Sequence, residues 1–374
     1  MGGFLDQMAA GSRARVEAAR GREPLPALRA RCAELPLPLS IRLGSCFDLI
    51  AELKLRSPAL GSLGRVEDGL IERVTAYAAG GAAAVSVLTE PDRFDGSLAH
   101  LAAAADALAP MGVPAMRKDF LVDPYQLYEA RGAGAGGALL IIRMLSRATL
   151  AEMLDCAREL SLFVLLEAFD EEDLAVAAEL VSDGASSAGG PDIGGQCLRR
   201  DRDPAGGTPR LAAALAEPRA ALRSAVGPPR HLGRGAETAL PVGRAGEVAG
   251  GPPERARLSA RATRGPGRIP PAREAPDADA ASALGKTQQP ILVGVNCRDL
   301  QTLEVVPDRF AALAGHLPAG VPRVAESGLE SAADVERAVR AGYDVALVGG
   351  ALMRAGDPES AVRAMLAAGR GAAA

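Results

Sequence analysis

Apolar runs of strand length recur eight times in this chain, and helical segments separate most of them. The runs are Phe47–Lys54, Ala83–Leu88, Pro114–Arg117, Ala138–Ile142, Leu162–Glu167, Ile291–Asn296, Pro322–Glu326 and Val345–Gly349. Apolar residues at helical spacing mark Glu67–Ala79, Ser97–Leu108, Pro124–Arg131, Arg147–Leu160 and Glu171–Leu180 between the first six. Strands apolar on both faces, with helices between them, predict parallel pairing with both sheet faces covered. Eight such units are the number that closes a (β/α)8, or TIM, barrel, so the expected fold class is α/β.

Two stretches fall outside that alternation. Within residues 1–46, Phe4, Leu5 and Met8 and then Leu25, Leu28 and Cys32 sit at helical spacing, which predicts an N-terminal helical extension. Residues 183–289 contain no Phe, Tyr or Trp, and 17 Gly and 13 Pro fall among their 107 positions. Breakers at that density match low-complexity or disordered sequence. The stretch also holds 16 Lys+Arg against 11 Asp+Glu, whereas the rest of the chain is acidic. Without it 267 residues remain, close to the roughly 250 of this barrel. The reading is therefore a long insertion between helix 5 and strand 6, expected to be disordered, with the barrel occupying 47–182 and 290–374. An insertion after a helix and before a strand leaves from the barrel's N-terminal face, away from the loops that carry chemistry in such folds.

Bulk properties remove several function classes. The formal net charge is −4 over 374 residues, which offers no global basic field to nucleic acid or to an anionic membrane. The basic insertion has no aromatic residue to stack a base, so no nucleic-acid partner is expected there either. Apolar runs such as Gly137–Ile142 fall far short of the roughly 20 residues of a membrane span. Met1–Ala10 lacks the basic and then apolar pattern of a secretory signal. Cys32, Cys46, Cys156, Cys197 and Cys297 are odd in number and form no CxxC pair, which favours reduced thiols and a cytoplasmic setting. His100, His231 and His316 are the only histidines. No metal-ligand cluster emerges from the sequence, and no metal is expected.

Chemistry enters at the strand ends. In Ile50-Ala51-Glu52-Leu53-Lys54-Leu55-Arg56-Ser57-Pro58, alternation along a strand points Glu52 and Lys54 to one interior face and Ala51 and Leu53 to the other. Charged or polar residues close the other strands too: Glu90, Arg117-Lys118-Asp119, Arg143, Glu167, Asn296-Cys297-Arg298-Asp299 and Glu326-Ser327. Taken singly, Glu90, Arg117 and Asp119 read as solvated loop residues, and Glu52 with Lys54 as a structural ion pair. Recurrence at nearly every strand end predicts instead a ring of groups at one mouth, since burying charges is costly unless they pair or meet a ligand. Gly328 and Gly349-Gly350 follow the last two strands and let backbone N–H groups approach a phosphate. They predict a phosphorylated small-molecule substrate.

Six ordered motifs carry a resemblance. The Ile50–Pro58 run, Arg117-Lys118-Asp119-Phe120, Leu166-Glu167, Gly294–Leu300, Ala325-Glu326-Ser327-Gly328 and Val348–Met353 together resemble the indole-3-glycerol phosphate synthase family of tryptophan biosynthesis. The likeness covers about residues 1–182 and 290–370 and passes over the insertion. It implies the substrate 1-(2-carboxyphenylamino)-1-deoxyribulose 5-phosphate, closed to an indole with loss of carbon dioxide and water. It implies no metal or organic cofactor, and either a monomer or association with other tryptophan-pathway enzymes.

The same resemblance implies roles. Lys118 matches the family's general acid and Glu167 its general base, with the lysine pKa lowered in a cationic pocket and the glutamate pKa raised in a dry one. Lys54 looks like the partner of the substrate carboxylate. Glu52 and Asn296 would orient Lys54, Lys118 and the substrate hydroxyls, and Arg298 would add positive charge. Ser57, Phe94, Glu326 and Ser327 match substrate contacts, with Phe94 against the anthranilate ring, while Gly328, Gly349 and Gly350 match the phosphate site. This chain departs from the family at Ala59-Leu60, where a serine and a lysine are common, and at Phe169, where a polar residue is common. Two other readings of the same residues are a sugar-phosphate isomerase such as phosphoribosylanthranilate isomerase, and an inactive barrel that serves as a binding module.

Overall fold

The computed structural model describes residues 3–44, 46–58, 61–63, 69–187, 289–300, 302–306 and 308–374. Residues 188–288 of the expected insertion, and Ala59-Leu60, lie outside the described residues. Among those described, eight parallel strands close a barrel: β1 (Asp48–Leu53), β2 (Ala84–Leu88), β3 (Ala115–Lys118), β4 (Gly137–Ile141), β5 (Phe163–Ala168), β6 (Ile291–Asn296), β7 (Arg323–Glu326) and β8 (Val345–Val348). Each pairs with the next, and β8 returns to β1 through Asp48↔Val345 to Ala51↔Val348. Every run predicted from the sequence is one of these strands, with ends displaced by one residue at most.

Helices fill the crossovers as expected, at Leu70–Ala79, Leu98–Leu108, Tyr125–Gly132, Arg147–Glu159 and Glu171–Ser187. The last runs past its predicted end at Leu180, through Gly184 to Ser187. Short polar side chains start several of the outer helices. Ser97, Ser146 and Asp357 accept from the N–H groups of His100, Thr149 and Ser360 at 3.1, 3.1 and 3.0 Å. Such caps each contribute about 1 kcal/mol. The N-terminal extension is two helices, Phe4–Arg22 and Leu25–Ala33.

Residue parity along each strand sorts the core into two clusters. Leu49, Ala51, Val85, Leu140, Val164, Leu166, Val293 and Ala346 pack outward beneath the helices. Ile50, Met116, Leu139, Phe163, Leu165, Leu292, Val324 and Leu347 fill the barrel. The interior needs space for its largest side chain, and Gly137 supplies it: a Cβ there would lie 2.5 Å from the Phe163 ring. The barrel is thus plugged below by apolar packing, which leaves only its C-terminal mouth for polar groups.

The chain enters β6 at the opposite end. Gln289 Nε2 donates to Ser40 Oγ at 2.5 Å, and Val164 N–H donates to the Pro290 carbonyl at 3.2 Å. Gln289, grouped with the insertion by composition, therefore sits against the segment that leads into β1.

Candidate active site

The C-terminal strand ends surround a pocket with an ionisable floor. Alternate strands each contribute one side chain to it: Glu52 from β1, Lys118 from β3, Glu167 from β5 and Glu326 from β7. Lys118 Nζ stands 3.3 Å from Glu167 Oε2 and 3.1 Å from Glu326 Oε2. Lys54 Nζ stands 2.6 Å from Glu52 Oε1, so the pair read from strand alternation does share one interior face. Asn296 donates from Nδ2 to Glu167 Oε1 at 2.5 Å and accepts at Oδ1 from the Arg298 N–H at 2.8 Å. The resemblance had Asn296, with Glu52, orienting Lys54, Lys118 and the substrate hydroxyls; the hydrogen bonds its amide makes here are to Glu167 and the Arg298 N–H.

The electrostatics differ from the expectation at Lys118. Burial acts against its ammonium, but Glu167, Glu326 and Glu52 outweigh that and raise its pKa above the ordinary lysine range. A cationic surround would have lowered it; the surround is anionic. Burial likewise acts to raise Glu52, yet Lys54, Lys118 and Arg298 hold it below its usual range. Glu326 is the carboxyl that goes up, to about 8, chiefly through burial and with the Glu167 and Glu52 charges adding to it against Lys118. Its Oε1 is buried without a hydrogen bond.

A raised carboxyl pKa has a definite sign. Between 4.5 and about 8 the folded chain holds a proton on Glu326 that the unfolded chain has released. This group's contribution to stability therefore falls as pH rises through that window. Glu326→Gln cannot ionise, so its Tm relative to the parent chain is expected to rise steadily from pH 4.5 to about 8 and then level. Melting curves at stepped pH check this; a constant difference across the window would contradict it.

Ser57, Phe94 and Arg298 line the pocket, as do Ser327, Gly328, Gly349 and Gly350. Glu326 lies beneath, reaching the pocket through Lys118. Gly328 has φ +71 and follows Ser327 at φ +66, so the β7 turn runs through two left-handed residues. Gly349 has a second reason to be glycine, because a Cβ there would stand 3.0 Å from both Glu52 Cδ and Lys54 Nζ.

One wall of the pocket was foreseen only at Phe94. Phe120 packs at a centroid distance of 6.0 Å from Phe94 and 5.9 Å from Phe4, and all three line the pocket. Phe4 comes from the N-terminal helix and carries no local signal beyond its apolar neighbours. Leu303 lines it too, from a left-handed backbone (φ +62) whose carbonyl accepts from Arg298 Nη1 at 2.6 Å.

Of the other strand-end charges, Asp119 lines the pocket, and Arg143, Glu90 and Arg117 do not. Arg143 bonds Asp170 and Asp173 and lies 4.7 Å over the Phe169 ring, so it braces the β5 loop and does not line the pocket. Phe169, the departure from the family pattern, is buried under that guanidinium. Glu90, Arg117 and Asp119, which read singly as solvated, are all buried. Asp119 Oδ1 accepts from Arg15 Nη2 (2.9 Å) and the Phe120 N–H (2.8 Å), and Oδ2 from Thr89 Oγ1 (2.7 Å) and Arg117 Nη2 (3.2 Å). Glu90 caps the turn after β2 through the Asp92 and Arg93 N–H groups. These charges offset the cost of burial by pairing, Arg117 with Asp119, and both Asp119 and Glu90 with Arg15.

A sequence profile described as Indole-3-glycerol phosphate synthase matches residues 5–184 and 275–365. The chain is 32% identical over 366 residues to an indole-3-glycerol phosphate synthase of Nocardioides sp., covering 96% of this chain and 97% of that one. It is 30% identical over 368 residues to those of Mycobacterium avium and Mycobacterium leprae, covering 98% of this chain and 94% of each. With the closed barrel and the ordered motifs at its mouth, these matches place it: the chain belongs to the indole-3-glycerol phosphate synthase family.

Proposed function

We propose that the chain closes the indole ring of 1-(2-carboxyphenylamino)-1-deoxyribulose 5-phosphate, with loss of carbon dioxide and water, to give indole-3-glycerol phosphate. The observation that carries the reading is Lys118 held between Glu167 and Glu326 beside the Lys54–Glu52 pair. Attack of the aromatic carbon on the sugar ketone needs a proton at the carbonyl oxygen. Lys118, kept protonated by the acidic groups around it, Glu167 foremost, supplies it. Glu167, oriented by Asn296, takes the proton lost as water leaves. Lys54, steadied by Glu52, receives the substrate carboxylate, and Arg298 adds positive charge at the anionic end. Phe94, with Phe4 and Phe120, packs the arene. Ser57 and Ser327 complete the substrate surround, Glu326 acts from beneath through Lys118, and the phosphate rests on the amides of Gly328, Gly349 and Gly350.

The pocket favours this over an isomerase, which would not need Lys54, Lys118 and Glu167 together. Incubation of the purified protein with the carboxyphenylamino-deoxyribulose phosphate should produce indole fluorescence. A folded sample that gives none would remove the reading and leave the barrel as a binding module. The setting is the cytoplasm. Among the described residues, no helix is long and apolar enough to cross a membrane.

The composition-distinct block is an insertion that the reaction does not use. Replacing residues 188–288 with a short Gly/Ser linker should leave kcat and KM unchanged, because the break lies at the end of the barrel opposite the mouth. Loss of turnover in a variant with a native melting curve would show that the block contributes.

A further inference from the structure

Gly294 faces into the barrel from β6, two residues before Asn296, which pairs with Glu326 of β7. Its backbone is not left-handed, so conformation does not demand glycine there. The neighbouring side chain does. A Cβ at position 294 would overlap Glu326 Oε1 and stand 3.1 Å from Glu326 Cδ and 3.1 Å from Leu165 Cδ1. Glu326 Oε1, buried and without a hydrogen bond, occupies the space the absent side chain leaves. With one oxygen seated there, the other is turned to Lys118 Nζ at 3.1 Å.

The device recurs one pair of strands further round. Gly349 follows β8 and leaves room for the carboxyl of Glu52 from β1 in the same way. In both cases the carboxyl lies over the main chain of the preceding strand, which keeps the centre of the mouth clear. A β-carbon on either glycine would push a carboxyl inward, since the strand backbone is held by ladder bonds and the end of a glutamate side chain is the part free to move.

We propose that Gly294 is a positioning residue for the reaction: by presenting no side chain it forms the slot that seats the Glu326 carboxyl and so sets its contact with Lys118. This rests on the reading of the pocket as a ring-closing site. The groups facing Glu326 are Lys118, Glu167 and Glu52, with Leu165 beside it. Displacing its carboxyl by about 1 Å disturbs the position and the proton affinity of Lys118 without removing any group that touches the substrate.

The test is a double-mutant cycle of Gly294→Ala and Glu326→Ala, read by indole formation against pH and by melting curves against pH. Gly294→Ala should lower kcat by about 100-fold, the cost of misplacing a reacting group by an ångström, and shift its pH profile. In the Glu326→Ala background the slot is vacant, and adding Gly294→Ala should change kcat by no more than about twofold. An unchanged kcat and pH profile in Gly294→Ala would overturn the proposal. So would an equal loss in both backgrounds, which would mark a backbone effect. If Gly294→Ala alone fails to fold, a native melt in the double variant supports the slot, and failure of both sinks it. Should the parent chain form no indole, the functional reading falls by itself. The slot is then judged by the pH dependence of Tm, which Gly294→Ala should shift and which Gly294→Ala should leave unaltered once Glu326 is alanine.

Discussion

Lys118→Ala is expected to lower kcat by about 100- to 10,000-fold, the range for loss of a positioned acid, while the protein stays folded. The alanine removes the one ammonium that contacts both Glu167 and Glu326, so no neighbour inherits the proton-donating position. Lys54 is engaged with Glu52 at 2.6 Å. The phosphate contacts, Phe94 and Phe4 lie on other elements, and the substitution leaves Phe120 in place, so KM should move far less than kcat, the pattern of an interaction made in the transition state. Lys118→Arg should not rescue, because a planar guanidinium cannot occupy the same point between the Glu167 and Glu326 carboxyl groups. Steady-state indole fluorescence with a circular dichroism melt decides it. Turnover within tenfold of the parent chain would exclude Lys118 as the acid.

The second large effect is on stability. Asp119→Ala is expected to destabilise the fold by about 3–5 kcal/mol, as breaking a buried ion pair does. That corresponds to a fall in Tm on the order of 10 °C for a barrel of this size. The carboxylate accepts four hydrogen bonds, and its loss leaves the Phe120 N–H and part of the buried Arg117 guanidinium unsatisfied. It also cuts the Arg15 tie from the N-terminal helix. Phe4 on that helix packs on Phe120, so KM should rise as the aromatic wall loosens. Arg15→Ala, which removes only the half-exposed end of the tie, should give a smaller fall in Tm and a similar rise in KM. If Asp119→Ala melts with the parent chain, the network is not what holds the helix.

Much of the site was legible because strand geometry is periodic. Once Ile50 to Lys54 is read as a strand, the interior placement of Glu52 and Lys54 follows, and the same parity turns Lys118, Glu167, Asn296 and Glu326 inward at their strand ends. Strand parity separates Arg117 from these, whereas Arg143 was not separable by sequence. Arg117 has the opposite parity and is buried outside the barrel. Arg143 lies past the end of β4, where alternation no longer governs direction and two aspartates from the next loop capture it.

The pattern of eight apolar runs by itself determined a parallel barrel, its order of strands and the end at which charge collects, because alternation and crossover are local properties of the chain. Only the tertiary structure decided the electrostatics. Lys118 reads as one cation in an Arg-Lys-Asp triplet, yet closure of the barrel brings Glu167 and Glu326 from strands 49 and 208 residues away to within 3.3 and 3.1 Å of it. Phe4 and Gly294 likewise gain their meaning from neighbours distant in sequence. Burial and the sum of facing charges set a pKa or a clash, and both depend on every element around a point rather than on the segment that carries it.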